Sequence, residues 1–285
     1  MSTRFRWLPT AGSLRGKIRD LLPPIIVQAA HRASSEHRYD PRGWIANGAR
    51  GEAWDVENVA VAQDAHWPVL VRNLEGPGPL GISHFPDRMT RDNTADHNVM
   101  MSYGYVLGRA ARNRARVSIL DWGGGVGHYY LYSRALMPGL DIEYHCYEVP
   151  ALCRAGRRLQ PDVWFHEGTD TLAGVSFDLV INSAALHLVE DWREVAGTLA
   201  RRTGGFLYIT RLQIVKRVAS FVVTYRSRYY GTEYQAWFLN RGELLDCVQE
   251  LGMELVREFV FAEHRLVKNA PEQSECRGFL FRPRG

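Results

Sequence analysis

Long apolar runs are missing from this 285-residue chain. Near its start the longest, Leu21 to Val27, is broken by Pro23 and Pro24, far short of the roughly 20 residues a membrane-spanning helix requires. No transmembrane segment is expected. Arg4 and Arg6 are not followed by a sustained apolar stretch, so no secretory signal is expected either, and the chain reads as cytoplasmic. Cysteine is scarce: Cys146, Cys153, Cys247 and Cys276 form no Cys-x-x-Cys pair, which suits free thiols in a reducing compartment rather than a disulfide framework. Charge of one sign is also lacking. With 35 basic and 31 acidic residues the formal charge is +4, smaller than a polyanion-wrapping protein usually carries, so nucleic-acid binding is not expected. No internal repeat appears. What is present is a composition 46% hydrophobic and 23% charged, ample for one large domain or one domain with an appendage.

Residues 1–115 are rich in Arg, His, Trp and Gly, and they show helical patches without a regular alternation of elements. Leu14 to Arg32 reads as a basic amphipathic helix interrupted at Pro23-Pro24, because the second proline drives the first out of the α region. Such a face caps a sheet or rests peripherally on an anionic membrane; the cap is the preferred reading. Asn73 to Pro86, with Gly76-Pro77-Gly78-Pro79 and Gly81, is a loop. Asp96 to Arg112 places Val99, Met100, Tyr103, Val106, Leu107 and Ala110 on one helical face.

From Val117 strands and helices alternate. Strands are expected at Val117 to Leu120, Ile142 to Tyr147, Val163 to His166, Phe177 to Asn182 and Phe206 to Thr210. Helices fall between them at His128 to Met137, Pro150 to Leu159 and Trp192 to Arg202. Beyond an insertion come a helix, Arg241 to Leu251, and two strands, Glu254 to Phe261 and Arg277 to Phe281. This pattern predicts an α/β, doubly wound sheet.

The sharpest signal is Ile119-Leu120-Asp121-Trp122-Gly123-Gly124-Gly125-Val126-Gly127, a strand emptying through an acid into a glycine turn that opens a helix. Glycines also serve purely structural turns, but here they permit positive φ and close backbone approach at the carboxyl end of the first strand. The spacing separates two cofactor classes. A dinucleotide fingerprint needs glycines at i, i+2 and i+5, but counting from Gly123 and Gly125 the last position is His128. The acid followed by glycines at alternating positions suits a cationic ligand group instead, such as an amino group held by a charge-assisted hydrogen bond. A phosphate would be repelled.

On these residues the chain resembles the class I S-adenosylmethionine-dependent methyltransferases, from about Val117 to Pro283. The resemblance implies a Rossmann-like fold: a seven-stranded, mostly parallel sheet with a C-terminal antiparallel strand, here preceded by a mainly helical N-terminal cap. It divides the chain into a cap or substrate region, 1–115, and a cofactor domain, 116–285, with a lid insertion at 212–240. It also implies S-adenosylmethionine as methyl donor, with no metal. Asp121, Gly123, Gly124, Gly125 and Gly127 would form its first motif, and Glu148, after the second strand, would accept hydrogen bonds from the ribose hydroxyls. Thr169 and Asp170 fall where the family places a polar group near adenine, and Asn182 and Ser183 end the fourth-strand motif. A narrower resemblance is to a bacterial group of methyltransferase-fold proteins associated with surface-polysaccharide gene clusters, carried by Gly43-Trp44, His97-Asn98, Tyr103-Gly104-Tyr105, Ile209-Thr210-Arg211 and Trp237-Phe238-Leu239-Asn240.

Methyl transfer from a sulfonium is an in-line displacement in which positioning supplies much of the acceleration. A hydroxyl acceptor generally benefits from a base, and His187, just after the fourth strand, is one candidate, with His97 the second. For both, packing is the commoner role of a histidine so placed. His128 and His145 belong to no metal-binding spacing. The insertion interleaves Lys216, Arg217, Arg226 and Arg228 with Phe221, Tyr225, Tyr229, Tyr230, Tyr234 and Trp237, a mixture that can stack on a ring while pairing with an anion, or that simply buries its aromatics beneath a basic surface. The expectation is O-methylation of a small-molecule or glycan-type acceptor. The alternatives are a non-catalytic binding protein on the same fold and a nucleotide-dependent oxidoreductase.

Overall fold

Val117, Ile119, Leu120 and Asp121 are fully buried in strand β2 (Arg116–Trp122), the near-continuous burial of a central parallel strand covered on both faces. In the computed structural model, which describes residues 37–45, 57–80, 93–227, 232–263 and 265–285, β2 runs parallel to β3 (Asp141–Tyr147) on one side and to β5 (Phe177–Ser183) on the other. β3 continues to β4 (Trp164–His166), and β5 to β6 (Thr203–Val215), again in parallel. Beyond β6 the antiparallel strand β11 (Glu275–Pro283) is inserted before β9 (Met253–Phe261). The order β4-β3-β2-β5-β6-β11-β9 is that of a class I methyltransferase fold. The chain leaves β2 toward β3 and later returns on its other side to β5, which opens a crevice at the carboxyl ends of these strands.

Two hydrophobic layers cover the sheet. Helices α1 (Glu57–Leu74), α2 (Thr94–Ala110), α3 (His128–Leu136) and α4 (Pro150–Leu159) pack one face around Leu70, Tyr103, Leu107, Tyr129 and Leu152. Helices α5 (Trp192–Arg201) and α6 (Arg241–Glu250) pack the other around Trp192, Leu199, Leu244 and Phe279. Their starts follow from local chemistry. The Asn93, Asp191 and Asn240 side chains accept hydrogen bonds from the first free backbone N–H groups of α2, α5 and α6, and Pro150 occupies the first turn of α4, where it loses no hydrogen bond.

The segment 212–240, expected as a lid insertion, is built mainly of strands. Leu212 to Val215 prolong β6, and β7 (Phe221–Ser227) and β8 (Thr232–Asn240) form an antiparallel hairpin. β1 (His37–Asp40) adds to β7, β10 (Val267–Lys268) adds to β1, and β8 joins the far end of β6 through Ile214 and Leu239. The hairpin is stabilised by its own small core, Val215, Phe221, Val223, Phe238 and Val267, and by a Tyr225–Tyr234 ring contact at 4.8 Å. The N-terminal region therefore contributes a strand as well as helices. Leu14 to Arg32, Arg228, Tyr229 and Tyr230 lie outside the described residues. Among the described residues no helix is long and apolar enough to cross a membrane.

The pairing of β6 with β11 carries an irregularity near the carboxyl end of the parallel strands. Leu212 pairs with Arg277 and Ile209 with Phe279, so Thr210 and Arg211 together face Gly278 as a β-bulge.

Candidate functional site

A cleft of about 330 Å³ opens at the carboxyl ends of β2, β3, β5 and β6. Its floor is the glycine bend. Gly123, Gly125 and Gly127 have φ of +76°, +63° and +86°, a left-handed alternation that residues with a Cβ resist. A Cβ on Gly124 would collide with the Asp121 carboxylate and approach Cys146 Sγ at 2.8 Å. The bend thus lets the backbone lie directly against the acid.

Asp121 is completely buried. Tyr144 Oη donates to its Oδ2 at 2.7 Å, whereas Oδ1 has no partner. Burial pushes its pKa up to about 7, against the opposing pull of the Tyr144 hydrogen bond. A buried carboxylate oxygen without a donor is costly, and a cationic ligand group in the cleft would supply the missing donor. Glu148 sits at the next strand end. Gly125 N donates to its Oε1 at 3.1 Å and Val149 N to its Oε2 at 2.6 Å, which fixes the carboxylate at the edge of the cleft. Trp122 and Tyr147 stack at 3.9 Å beside it and form a flat aromatic wall.

The opposite half of the cleft is lined by Asp96, Tyr129, Tyr132, His187, Arg211, Tyr234 and Arg265. His187, on the 3-10 turn Leu186–Leu188, is 2% exposed and its Nδ1 has no partner. Burial, followed by the nearby Arg265 guanidinium, depresses its pKa to about 3, with Arg211 adding to the effect. The imidazole is neutral. His128 is likewise held neutral by burial, its pKa lowered to about 4. Among the described residues no group of three His, Cys, Asp or Glu is arranged to hold a metal ion.

The structure brings Asp121, Gly123, Gly124, Gly125, Glu148, Ser183 and His187 to this one cleft. Gly127 lies just behind it at the N-terminus of α3, where a Cβ would strike Gln160. Asn182 is buried and braces the site rather than lining it: Nδ2 donates to Trp122 O at 3.2 Å, and Oδ1 accepts from Leu186 N at 2.8 Å. That side chain ties the end of β2 to the turn carrying His187. Thr169 and Asp170 stand on an exposed 3-10 turn after β4 and do not line the cleft. His97 faces a separate depression with Pro79, Leu80 and Met101. Its predecessor Asp96 faces the cleft instead, and a signal for this existed, since positions 96, 99, 100 and 103 share one helical face. Gln63, Asp96, Tyr132 and Arg265 were not anticipated as site residues.

No protein-family model and no curated protein matches this chain. Among solved structures it is similar to the 1,6-didemethyltoxoflavin-N1-methyltransferase of Burkholderia thailandensis, crystallised with 1,6-didemethyltoxoflavin and S-adenosylhomocysteine bound, at 13% identity and a TM-score of 0.49 over 88% of this chain and 100% of that one. It is also similar to CcbJ, a methyltransferase of Streptomyces caelestis (13% identity, TM-score 0.47, 74% and 94% covered). A third similarity is to CalS10, an amino pentose methyltransferase of Micromonospora echinaspora solved with bound S-adenosylmethionine (17% identity, TM-score 0.43, 66% and 91% covered).

Proposed function

We propose that this chain is an S-adenosylmethionine-dependent methyltransferase that methylates a hydroxyl of a small-molecule or glycan-type acceptor. The observation that carries the reading is Asp121, a buried acid with an unpartnered Oδ1, laid against a glycine bend at the switch point of the sheet. The residues fit the donor. Asp121 would hold the amino group of its methionine part, Glu148 its ribose hydroxyls, and the Trp122–Tyr147 pair would border its flat base. A dinucleotide would set its pyrophosphate against the same buried acid, which disfavours an oxidoreductase.

The bound donor supplies an electrophilic methyl group. The chain has to deliver an acceptor lone pair in line with it. His187 Nδ1 accepts the acceptor's O–H hydrogen and so orients the oxygen. With a pKa near 3 it cannot retain that proton, so in this reading His187 is a positioning group and the proton passes to solvent as the methyl moves. His97 faces the separate depression and has no part in this scheme. All four cysteines are free thiols, in keeping with a cytoplasmic location.

The test is donor uptake followed by turnover. Calorimetry should show S-adenosylmethionine binding to the full chain, and mass spectrometry should show a methylated product and S-adenosylhomocysteine from a panel of sugars, nucleotide sugars and phenols. Uptake without turnover on any acceptor favours a binding protein on this fold. No uptake at millimolar donor contradicts the proposal.

A further inference from the structure

Arg211 and Arg265 both line the acceptor half of the cleft, and both lean on one carboxylate. Arg211 Nη2 lies 3.4 Å from Glu263 Oε2, and Arg265 Nη2 lies 3.1 Å from Glu263 Oε1. Glu263 is only 13% exposed and does not line the cleft. It therefore stands behind the two guanidiniums and holds them in place.

Arg211 is the unusual member. It sits in the β6 bulge with φ +58°, a conformation that costs a non-glycine residue of order 1 kcal/mol or more and that persists where the surroundings enforce it. Bulges beside active sites re-aim a side chain, and this one points Arg211 into the cleft. Neighbouring Ala184, which also lines the cleft, has φ +58° as well, and its N–H bonds to Thr210 O at 2.9 Å. The Arg211 side chain is 11% exposed, and its Nε is buried without a partner. A guanidinium has five N–H donors, and among the described residues the Arg211 side chain makes one hydrogen bond, to Glu263, long at 3.4 Å. A strained backbone that buries an under-satisfied cation is costly unless a ligand completes it.

We infer that the acceptor carries an acidic group, a carboxylate or a phosphate, that is gripped by the planar guanidinium of Arg211, with Arg265 beside it and Glu263 fixing both. This rests on the methyltransferase reading and goes further by naming the acceptor's charge. Asp96 from α2 lines the same half, so the formal charges of Arg211, Arg265, Glu263 and Asp96 cancel. Recognition is then by directed, paired N–H donors rather than by net field. The acid would also offset the guanidiniums that face His187 and strengthen that imidazole as an acceptor of the substrate proton.

The experiment is calorimetric titration of the full chain saturated with S-adenosylhomocysteine, using matched probes: glucuronate against glucose, glucose 6-phosphate against glucose, and 4-hydroxybenzoate against 4-hydroxybenzyl alcohol. At least one acidic member should bind about tenfold or more tighter than its neutral twin, and whether it is a carboxylate or the phosphate identifies the acid. Arg211→Gln should erase that preference, and Arg211→Lys should not restore it, because an ammonium lacks the paired fork. Arg265→Gln, outside the bulge, serves as the second variant should the bulge fail to form, and it should reduce the preference severalfold. Equal binding of acidic and neutral twins, or binding of neither, overturns the inference. The S-adenosylhomocysteine titration separates the two failures. Uptake of that product with no acid preference sinks this inference alone, whereas no uptake sinks the methyltransferase reading as well.

Discussion

In the proposed function, the donor half of the cleft takes Asp121, the glycines and Glu148 from residues 121–148, whereas the acceptor half takes Asp96, His187, Arg211, Tyr234 and Arg265 from α2, a 3-10 turn, β6, β8 and the loop before β10. The donor half is a short-range construction: one strand end, one bend and the neighbouring strand end. Its geometry follows from backbone that only glycine permits and from an acid buried beneath it. The acceptor half exists only once distant strands have paired, and its central arginine is aimed by a bulge whose partner strand lies near the C-terminus. A donor site built locally tolerates little change, while an acceptor site assembled from loops and edge strands can be altered piece by piece.

That contrast is broken or sharpened by substitutions graded in expected effect. Gly124→Val should be the most severe. Its Cβ meets the Asp121 carboxylate, so donor affinity should fall by about a hundredfold or more and stability by roughly 1–3 kcal/mol, measured by calorimetry and denaturant unfolding. Near-normal binding would show that the bend yields and that the donor half is not rigid. Asn182→Ala removes the brace between Trp122 O and Leu186 N. Leaving two buried backbone groups unsatisfied should cost about 1–3 kcal/mol in stability, with donor affinity reduced severalfold because the bend and the His187 turn lose their common tie.

A smaller effect is expected from pH. Asp121 has a folded pKa of about 7, above the unfolded value of about 3.9. The folded state therefore keeps this proton while the unfolded state loses it, so the acid's contribution to stability falls as pH rises through about 4 to 7. Asp121→Asn should abolish this part of the slope in urea unfolding of the ligand-free chain; an unchanged slope would mean the acid is already ionised. The smallest effect belongs to Asp170→Ala. Its exposed position away from the cleft predicts a change in donor affinity of less than about twofold, as for most surface substitutions. A larger loss would return it to the adenine site that the family resemblance implied.

The two halves also differ in what the amino-acid order revealed. The main sheet was legible because its strands are short apolar runs between amphipathic helices, and the glycine bend over the buried acid was legible because an acid with alternating glycines is a local signature. The hairpin of β7 and β8 was not, although Phe221-Val222-Val223 and Tyr234 to Leu239 carry strand-forming residues. Its register depends on β1 at the other end of the chain, which no local pattern announces. Arg211 sits in an unbroken run, Ile209-Thr210-Arg211-Leu212, where nothing marks the bulge. His97 lines a separate depression, whereas its neighbour Asp96, one step away in helical phase, lines the cleft. His187 lines the cleft, but its proton affinity is set by burial and then by Arg265 and Arg211, which arrive from other elements.

The most direct test of the account is the affinity of S-adenosylhomocysteine for the wild-type chain and for Asp121→Asn, titrated from pH 5.5 to 7.5. If the buried acid grips the ligand's ammonium, wild-type binding should strengthen with pH by up to about tenfold per unit below pH 7, as the acid gives up its proton. Asp121→Asn should bind about tenfold or more weakly at pH 7.5 and show no such dependence. Equal affinity of the two proteins, with the same pH profile, would contradict the claim that Asp121 holds the donor.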